Sequence, residues 1–242
     1  MAKLIAVCGA PASGKTTFSL KLAMEINSLE PDKEGGTVFL SPDLVVPSMS
    51  LIYPRCKKEE LYSMGTVIDK TEIYRNDLLR SMNGIKTLRN FGMLGFVCGE
   101  NRYSYPSPTE DKVMELLSGC KQLADYTVVD CCSGDDLISR LAIANAEVIV
   151  QLISPDIKSA AYYSSCGELP EELTVRRIKL LNMTDANRYA PVAEITAQMK
   201  GVDYTLPHSE ALKQQMLTGT LTERLNDNSY RKVVKAIAQA VM

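Results

Sequence analysis

Gly9, Gly14, Lys15 and Thr16 stand in the order G-x-x-x-x-G-K-T within the stretch AVCGAPASGKTTFSL, a spacing suited to holding a polyphosphate. Glycines let successive backbone N–H groups turn inward on an anion without a Cβ in the way. The lysine after the second glycine reaches the β- and γ-phosphates of a nucleotide, and the hydroxyl beside it ligates Mg2+. The whole loop, Gly9, Ala10, Pro11, Ala12, Ser13, Gly14, Lys15 and Thr16, is therefore a candidate cradle for ATP, with Thr17 donating to the α-phosphate. An apolar run, LIAVC, leads into the loop, and a helical pattern from Thr17 to Ser28 leads out of it. That context suits the motif, because the helix N-terminus adds partial positive charge. The alternative is a Gly/Pro/Ser turn that binds nothing.

A polyphosphate site also needs carboxylates. YTVVDCCSG ends an apolar run at Asp130, where an acid would hold Mg2+ through water; its other reading is a cap on the next helix. FLSPDL brings Asp43 to the end of a second run. There it would bind Mg2+ or orient an attacking water, and it would equally serve as a turn residue after Pro42. Thr16, Asp43 and Asp130 form the candidate metal set, and Lys15 with Asp43 the candidate catalytic pair. Asp135 and Asp136 read as N-terminal charges of a helix.

These residues need a scaffold that gathers strand ends. Leu4–Cys8, Thr37–Leu40, Met93–Cys98, Tyr126–Asp130, Glu147–Ile153, Ile178–Met183 and Val202–Leu206 read as strands, mostly apolar on both faces as buried parallel strands are. Helical patterns at Thr17–Ser28, Pro108–Ala124 and Asp135–Asn145 alternate with them. The order predicts an α/β fold, a mostly parallel twisted sheet of about seven strands with helices on both faces, doubly wound. Ligands in such folds sit at the carboxyl ends of the strands. Ser48–Asn90 reads as a helical excursion without a strand. Residues 1–242 are expected to form one P-loop domain, closed by a C-terminal helix over 229–242.

Composition narrows the function. At 242 residues and 45% hydrophobic, the chain can bury a large core. A net charge of −2 argues against polyanion binding by the whole molecule and gives no strong nucleic-acid signal. A single histidine, His208, excludes a multi-histidine zinc site. Seven cysteines without a CxxC pair, and no signal-peptide pattern before Leu4, lead to the expectation of a reducing cytoplasm. No apolar run reaches the ~20 residues of a membrane span. Tyr230, Val233, Val234, Ile237 and Val241 line one side of the last helix, with Arg231, Lys232 and Lys235 on the other. That pattern suits packing on the sheet, and alternatively an anionic membrane surface. Cys131 and Cys132 read as small residues after a buried strand, with a redox role as the alternative.

The order of phosphate loop, Asp43, DCCSG, NAEVIVQLISPDIKSA and VDYTLPHSEAL resembles the MinD/ParA family of deviant P-loop ATPases, including its TadZ/CpaE-like pilus-positioning branch. The likeness runs from Lys3 to about Leu225. It implies that Asp43 is the switch I aspartate, that Asn182 reads adenine and that Pro207 lies in a second base-contacting loop. The sequence departs from the family at three points. Ala10 replaces the signature lysine that reaches across an ATP-sandwiched dimer, Ser41 replaces the first acid of D-x-D, and Cys132 replaces the switch II proline.

The resemblance implies a Mg-ATP switch with slow ATPase activity and a homodimer. It also implies a protein partner in a pilus, secretion, conjugation or DNA-segregation system, which would bring a cytoplasmic protein to a membrane or pole. Two other readings stand beside it. One is a small-molecule or nucleotide kinase, although the pairs Arg176–Arg177 and Lys57–Lys58 are scattered and no Arg-rich lid is visible. The other is a nucleotide-binding scaffold that does not hydrolyse.

Overall fold

The computed structural model describes residues 2–30, 35–54, 56–166, 175–183 and 192–242. Among them, the strands are β1 (Lys3–Gly9), β2 (Thr37–Ser41), β3 (Asn83–Gly84), β4 (Phe91–Gly95), β5 (Tyr126–Asp130), β6 (Val148–Ile153), β7 (Arg176–Asn182) and β8 (Tyr204–Leu206). The helices are α1 (Lys15–Leu29), α2 (Met49–Ile52), α3 (Gly65–Ile68), α4 (Arg75–Arg80), α5 (Glu110–Leu123), α6 (Leu137–Ala144), α7 (Ile157–Cys166), α8 (Val192–Gln198), α9 (Glu210–Thr218) and α10 (Asn228–Val241).

The strands join in the order β3-β4-β2-β5-β1-β6-β7-β8, all parallel except β3. β1 lies in the middle and alternates between two cores. Ile5 and Val7 pack with Phe18, Leu22 and Ile26 of α1 and Val234 and Ile237 of α10. Leu4, Ala6 and Cys8 pack with Leu116 and Cys120 of α5 and Ile138 and Ala142 of α6. Both faces are therefore dry, which explains why the strands read as continuous apolar runs.

The crossovers set the position of the cleft. From β1 the chain passes over β5 to reach β2, and from β5 it passes over β1 to reach β6. The carboxyl ends of β1, β5 and β2 are left side by side, with Val7 paired to Asp130 and Leu40 to Val129. Gly9 ends β1 at φ 149°, and a Cβ there would stand 2.2 Å from the Leu152 carbonyl oxygen of β6, so a side chain is sterically barred.

The expected mostly parallel sheet is present, with eight strands instead of seven. The extra one corrects the reading of Ser48–Asn90 as strandless. Asn83 and Gly84 pair antiparallel with β4, a piece too short to carry a hydrophobic period. Asn83 is buried and held by its side chain, which accepts from Tyr62 N at 3.0 Å and donates to Tyr62 O at 2.7 Å. β4 also starts and ends before the expected Met93–Cys98. Beyond Gly95, Val97 N donates to the Glu100 carboxylate at 2.8 Å and Cys98 N to Ser50 Oγ at 2.9 Å, so side chains replace the ladder. The last helix buries Tyr230, Val234, Ile237, Ala238 and Val241 and exposes Lys232 and Lys235. Among the described residues, no helix is long and apolar enough to cross a membrane.

One buried cation fastens the far side of α1. Lys21 is 6% exposed, and its ammonium donates to Gln215 Oε1 at 2.8 Å, Leu221 O at 2.6 Å and Glu223 O at 2.9 Å. Burial pulls it down to about 8, opposed by the charge of Glu223. Lys21→Met keeps the stem but leaves two backbone carbonyls without this donor. It should lower stability by about 1–3 kcal/mol, read as an earlier urea midpoint. An unchanged midpoint would show that the three contacts do not hold α9 and the following turn to α1.

Candidate functional site

A cleft of about 1090 Å³ opens at the carboxyl ends of the central strands. Its lining includes ten of the residues singled out from the sequence: Pro11, Ala12, Gly14, Lys15, Thr16, Thr17, Asp43, Asp130, Asn182 and Pro207. Gly9, Ala10 and Ser13 lie beneath the surface of the loop, Ala10 at 2% exposed and Ser13 at 0%.

The loop is shaped by its backbone. Ala12 and Gly14 both take left-handed conformations, at φ 60° and 86°. Ser13 N turns back on Ala10 O at 3.3 Å, and the first helical bond of α1 runs from Phe18 N to Gly14 O at 3.0 Å. The N–H groups just before Phe18 have no acceptor within the helix. α5, α6, α9 and α10 begin under side-chain caps from Thr109, Asp136, Ser209 and Asp227. α1 begins under Gly14, without a side-chain cap and without an acid in its first turn. Ser13 Oγ, wholly buried in the same loop, has no hydrogen-bond partner among the described residues. Uncapped amides at the positive end of a 15-residue helix, an orphaned hydroxyl and a lysine at the mouth fit a polyphosphate.

Asp130 supplies the candidate metal corner. It is 3% exposed, takes Ser41 Oγ at 3.2 Å and Ser19 Oγ at 3.4 Å, and is hydrogen-bonded by Thr16. Burial pushes its carboxyl up to about 6, held back by Thr16, the Lys15 charge and the two serines. A buried carboxylate wired to a threonine hydroxyl is a donor set suited to Mg2+. Ser41, where the resembled family has an acid, here supplies a hydroxyl to Asp130. Among the described residues, no ready-made cluster of three or more metal-ligating side chains occurs, so any Mg2+ would also rely on water and phosphate oxygens.

Lys15 does not extend freely into the cleft. Its ammonium donates to Ala10 O at 2.9 Å and to Ser133 Oγ, and Ser133 in turn donates to Gly9 O at 2.9 Å. Burial lowers its pKa, opposed first by Asp130. Asp43 lines the wall as a turn residue, with Oδ1 accepting from Val45 N and Val46 N, both at 2.8 Å. Asn182 lies across the cleft and donates through Nδ2 to Ser13 O at 2.8 Å. Thr17 Oγ1 contacts Met216 Sδ at 3.5 Å on α9. Pro207 lines the same side beside His208, whose Nε2 pairs with Glu210 at 2.8 Å. Cys131 is buried, and burial raises both adjacent thiols, which makes them unreactive. Asp136 caps α6, as its place in the sequence suggests.

Sequence reasoning missed Ser133 and Ser19. Ser133 belongs to no spacing pattern, and its contacts with Lys15 and Gly9 cross more than a hundred residues. Ser19 lies one turn beyond Lys15, on the side of α1 that meets β5, and helical periodicity alone would have paired it with the loop.

No protein-family model and no curated protein sequence matches the chain. Solved structures do match in fold. A ParA family ATPase from Chlorobium tepidum superposes with a TM-score of 0.79 at 14% identity, over 98% of each chain. The septum site-determining protein MinD from Pyrococcus horikoshii, complexed with Mg-ADP, gives 0.75 at 15% identity, over 100% of this chain and 96% of that one. A chain of the MinC:MinD cell division protein complex from Aquifex aeolicus gives 0.72 at 15%, over 100% of this chain and 96% of that one. The chain has the MinD/ParA P-loop NTPase fold.

The raised Asp130 carboxyl has a consequence for stability. The native state holds a proton there up to a higher pH than the unfolded chain does, so stability is lost as pH rises from about 4 through about 6. Asp130→Asn removes that penalty. Without nucleotide, the variant should exceed the parent by about 1–3 kcal/mol at pH 7, converging below about pH 4. Urea denaturation at both pH values tests this; equal stability at pH 7 would show that Asp130 ionises without cost.

Proposed function

We propose that this protein binds Mg-ATP in the cleft, hydrolyses it slowly and works as a nucleotide switch in positioning or assembling a cellular machine. The observation that carries the reading is the uncapped start of α1 with Lys15 above it and Asp130 joined to Thr16 beneath. In this reading the amides of residues 14–17 and Lys15 hold phosphate oxygens, and Thr16 and Asp130 hold Mg2+. Asp43 orients a water, while Asn182 and Pro207 border the base. ATP, when bound, supplies the phosphoanhydride that is cleaved. None of the described residues lining the cleft is an arginine, which favours a switch over a kinase, whose acceptor phosphate needs clamping.

The partner belongs, on this reading, to a pilus, secretion, conjugation or segregation system, and it recruits a cytoplasmic protein to a membrane or pole. The exposed Val45 and Val46 on the cleft rim suit a contact with a second copy. Ala10 supplies no cation to that contact, so the homodimer should depend only weakly on ATP.

Three outcomes are expected. Lys15→Ala should weaken ATP binding about ten- to a hundredfold by calorimetry, and equal affinity would remove the phosphate-loop assignment. Asp43→Asn keeps an acceptor for the Val45 and Val46 amides. It should bind ATP within about threefold of the parent while turnover falls at least about tenfold. Parental turnover would leave Asp43 as a turn residue alone. Light scattering of Asp43→Asn with ATP, ADP and neither should show a weak dimer little altered by nucleotide. A tight dimer only with ATP would mean that another cation replaces the one missing at Ala10, and a monomer throughout would remove the switch dimer and leave the scaffold or the kinase.

A further inference from the structure

Ser133 occupies a position that no part of the proposed function uses. It lies three residues beyond the end of β5, half-buried on the cleft wall. Its hydroxyl is fully engaged: it accepts from Lys15 Nζ and donates to Gly9 O at 2.9 Å. The same ammonium donates to Ala10 O at 2.9 Å. These contacts form a closed loop of hydrogen bonds from the end of β1, across the cleft floor to the 131–136 loop, and back through Lys15.

The two sides of this loop differ in freedom. Gly9 is tied into the sheet by its pairing with Leu152 of β6. On the other side, Cys132 N is fastened to Ser139 Oγ at 2.8 Å, and Asp136 is fastened to the first amides of α6. Between them Gly134 has nothing within 4 Å of where a Cβ would stand. Asp136 N donates to Gly134 O at 3.2 Å and Asp135 pairs with Arg140 at 3.9 Å, so residues 133–135 are a short span anchored at its far end, and Lys15 and Gly9 hold its first residue, Ser133, to the phosphate loop.

We propose that Ser133 is a positioning residue that holds Lys15 back on the loop and so lowers nucleotide affinity, while making the 133–135 span respond when a phosphate takes the lysine. The proposal rests on reading the cleft as a nucleotide site. The Lys15 ammonium has three donors and spends two of them on Ala10 O and Ser133 Oγ, and a phosphate bound further out in the cleft draws it away from Ser133. The Ala10 carbonyl is fixed by the loop, whereas loss of the Lys15 contact leaves Ser133 tied to the phosphate loop through Gly9 O alone. Hydrogen bonds to charged groups are the stronger ones, so this competition is large enough to measure.

The experiment compares the parent, Ser133→Ala, Ser133→Thr, Lys15→Met and the Ser133→Ala/Lys15→Met double variant. Calorimetry with ATP and with ADP should show Ser133→Ala binding both about three- to tenfold more tightly than the parent, and Ser133→Thr, which keeps the hydroxyl, binding as the parent does. A residue that merely supports the fold, or one that itself contacts phosphate, would weaken binding when truncated. Hydrogen exchange on the nucleotide-free proteins supplies the second reading. Ser133→Ala and Lys15→Met should each speed exchange at residues 133–135, and the double variant should be no faster than the faster single, because both remove one shared interaction. Unchanged or weaker nucleotide binding in Ser133→Ala, or exchange effects that add, overturns the proposal. If no protein, the parent included, binds ATP or ADP, the nucleotide reading fails, and the exchange cycle alone decides whether Ser133 holds Lys15.

Discussion

The N-terminus of α1 meets the cleft with no side chain to satisfy its first amides, while α5, α6, α9 and α10 each begin under a serine, threonine or aspartate. That contrast organises the molecule. An uncapped helix end leaves donors and partial positive charge without an answer, and a fold tolerates this where an anion completes it. The placement of α1 therefore matters more than that of any other helix. It is held by the core on one side, by Lys21 reaching into the turn after α9, and by Ser19 reaching Asp130. The bare amides are fixed from three directions.

The charges around α1 follow the same logic. Asp130 and Lys21 are buried and Lys15 is half-buried, and loss of water moves each toward its neutral form. Asp130 and Lys15 relieve one another only in part. The carboxylate is furnished with three hydroxyl donors, and the ammonium with a carbonyl and a hydroxyl. A protein selected for stability alone would fill such a corner with apolar side chains.

The parts legible in sequence were those fixed by local periodicity or by a motif that carries its own backbone geometry. Gly9–Thr16 curls through Gly9, Ala12 and Gly14, two of them placed by the motif, and strands buried on both faces announce themselves as apolar runs. The C-terminal helix was legible for a similar reason, its apolar stripe being the face that meets α1. What escaped depends on distance in the chain. Asn83–Gly84 pairs through two residues and is held by Tyr62. Ser133 means nothing until β5 is laid beside β1. Asp43 shows the remaining ambiguity, since one carboxylate can cap the amides of its own turn and still line the cleft.

The ends of the described chain meet. Lys3, at the start of the central strand, donates to Val241 O at 3.2 Å across 238 residues, and α10 covers the face of α1 that carries Phe18 and Ile26. On a ribosome adding ~5–20 residues per second, the phosphate loop and its helix emerge tens of seconds before the helix that shields them. During that interval α1 presents an apolar flank to whatever is near. The nascent chain then carries an apolar flank of the kind that makes folding intermediates aggregation-prone. Within the described residues, that flank is covered only once α10 has been made.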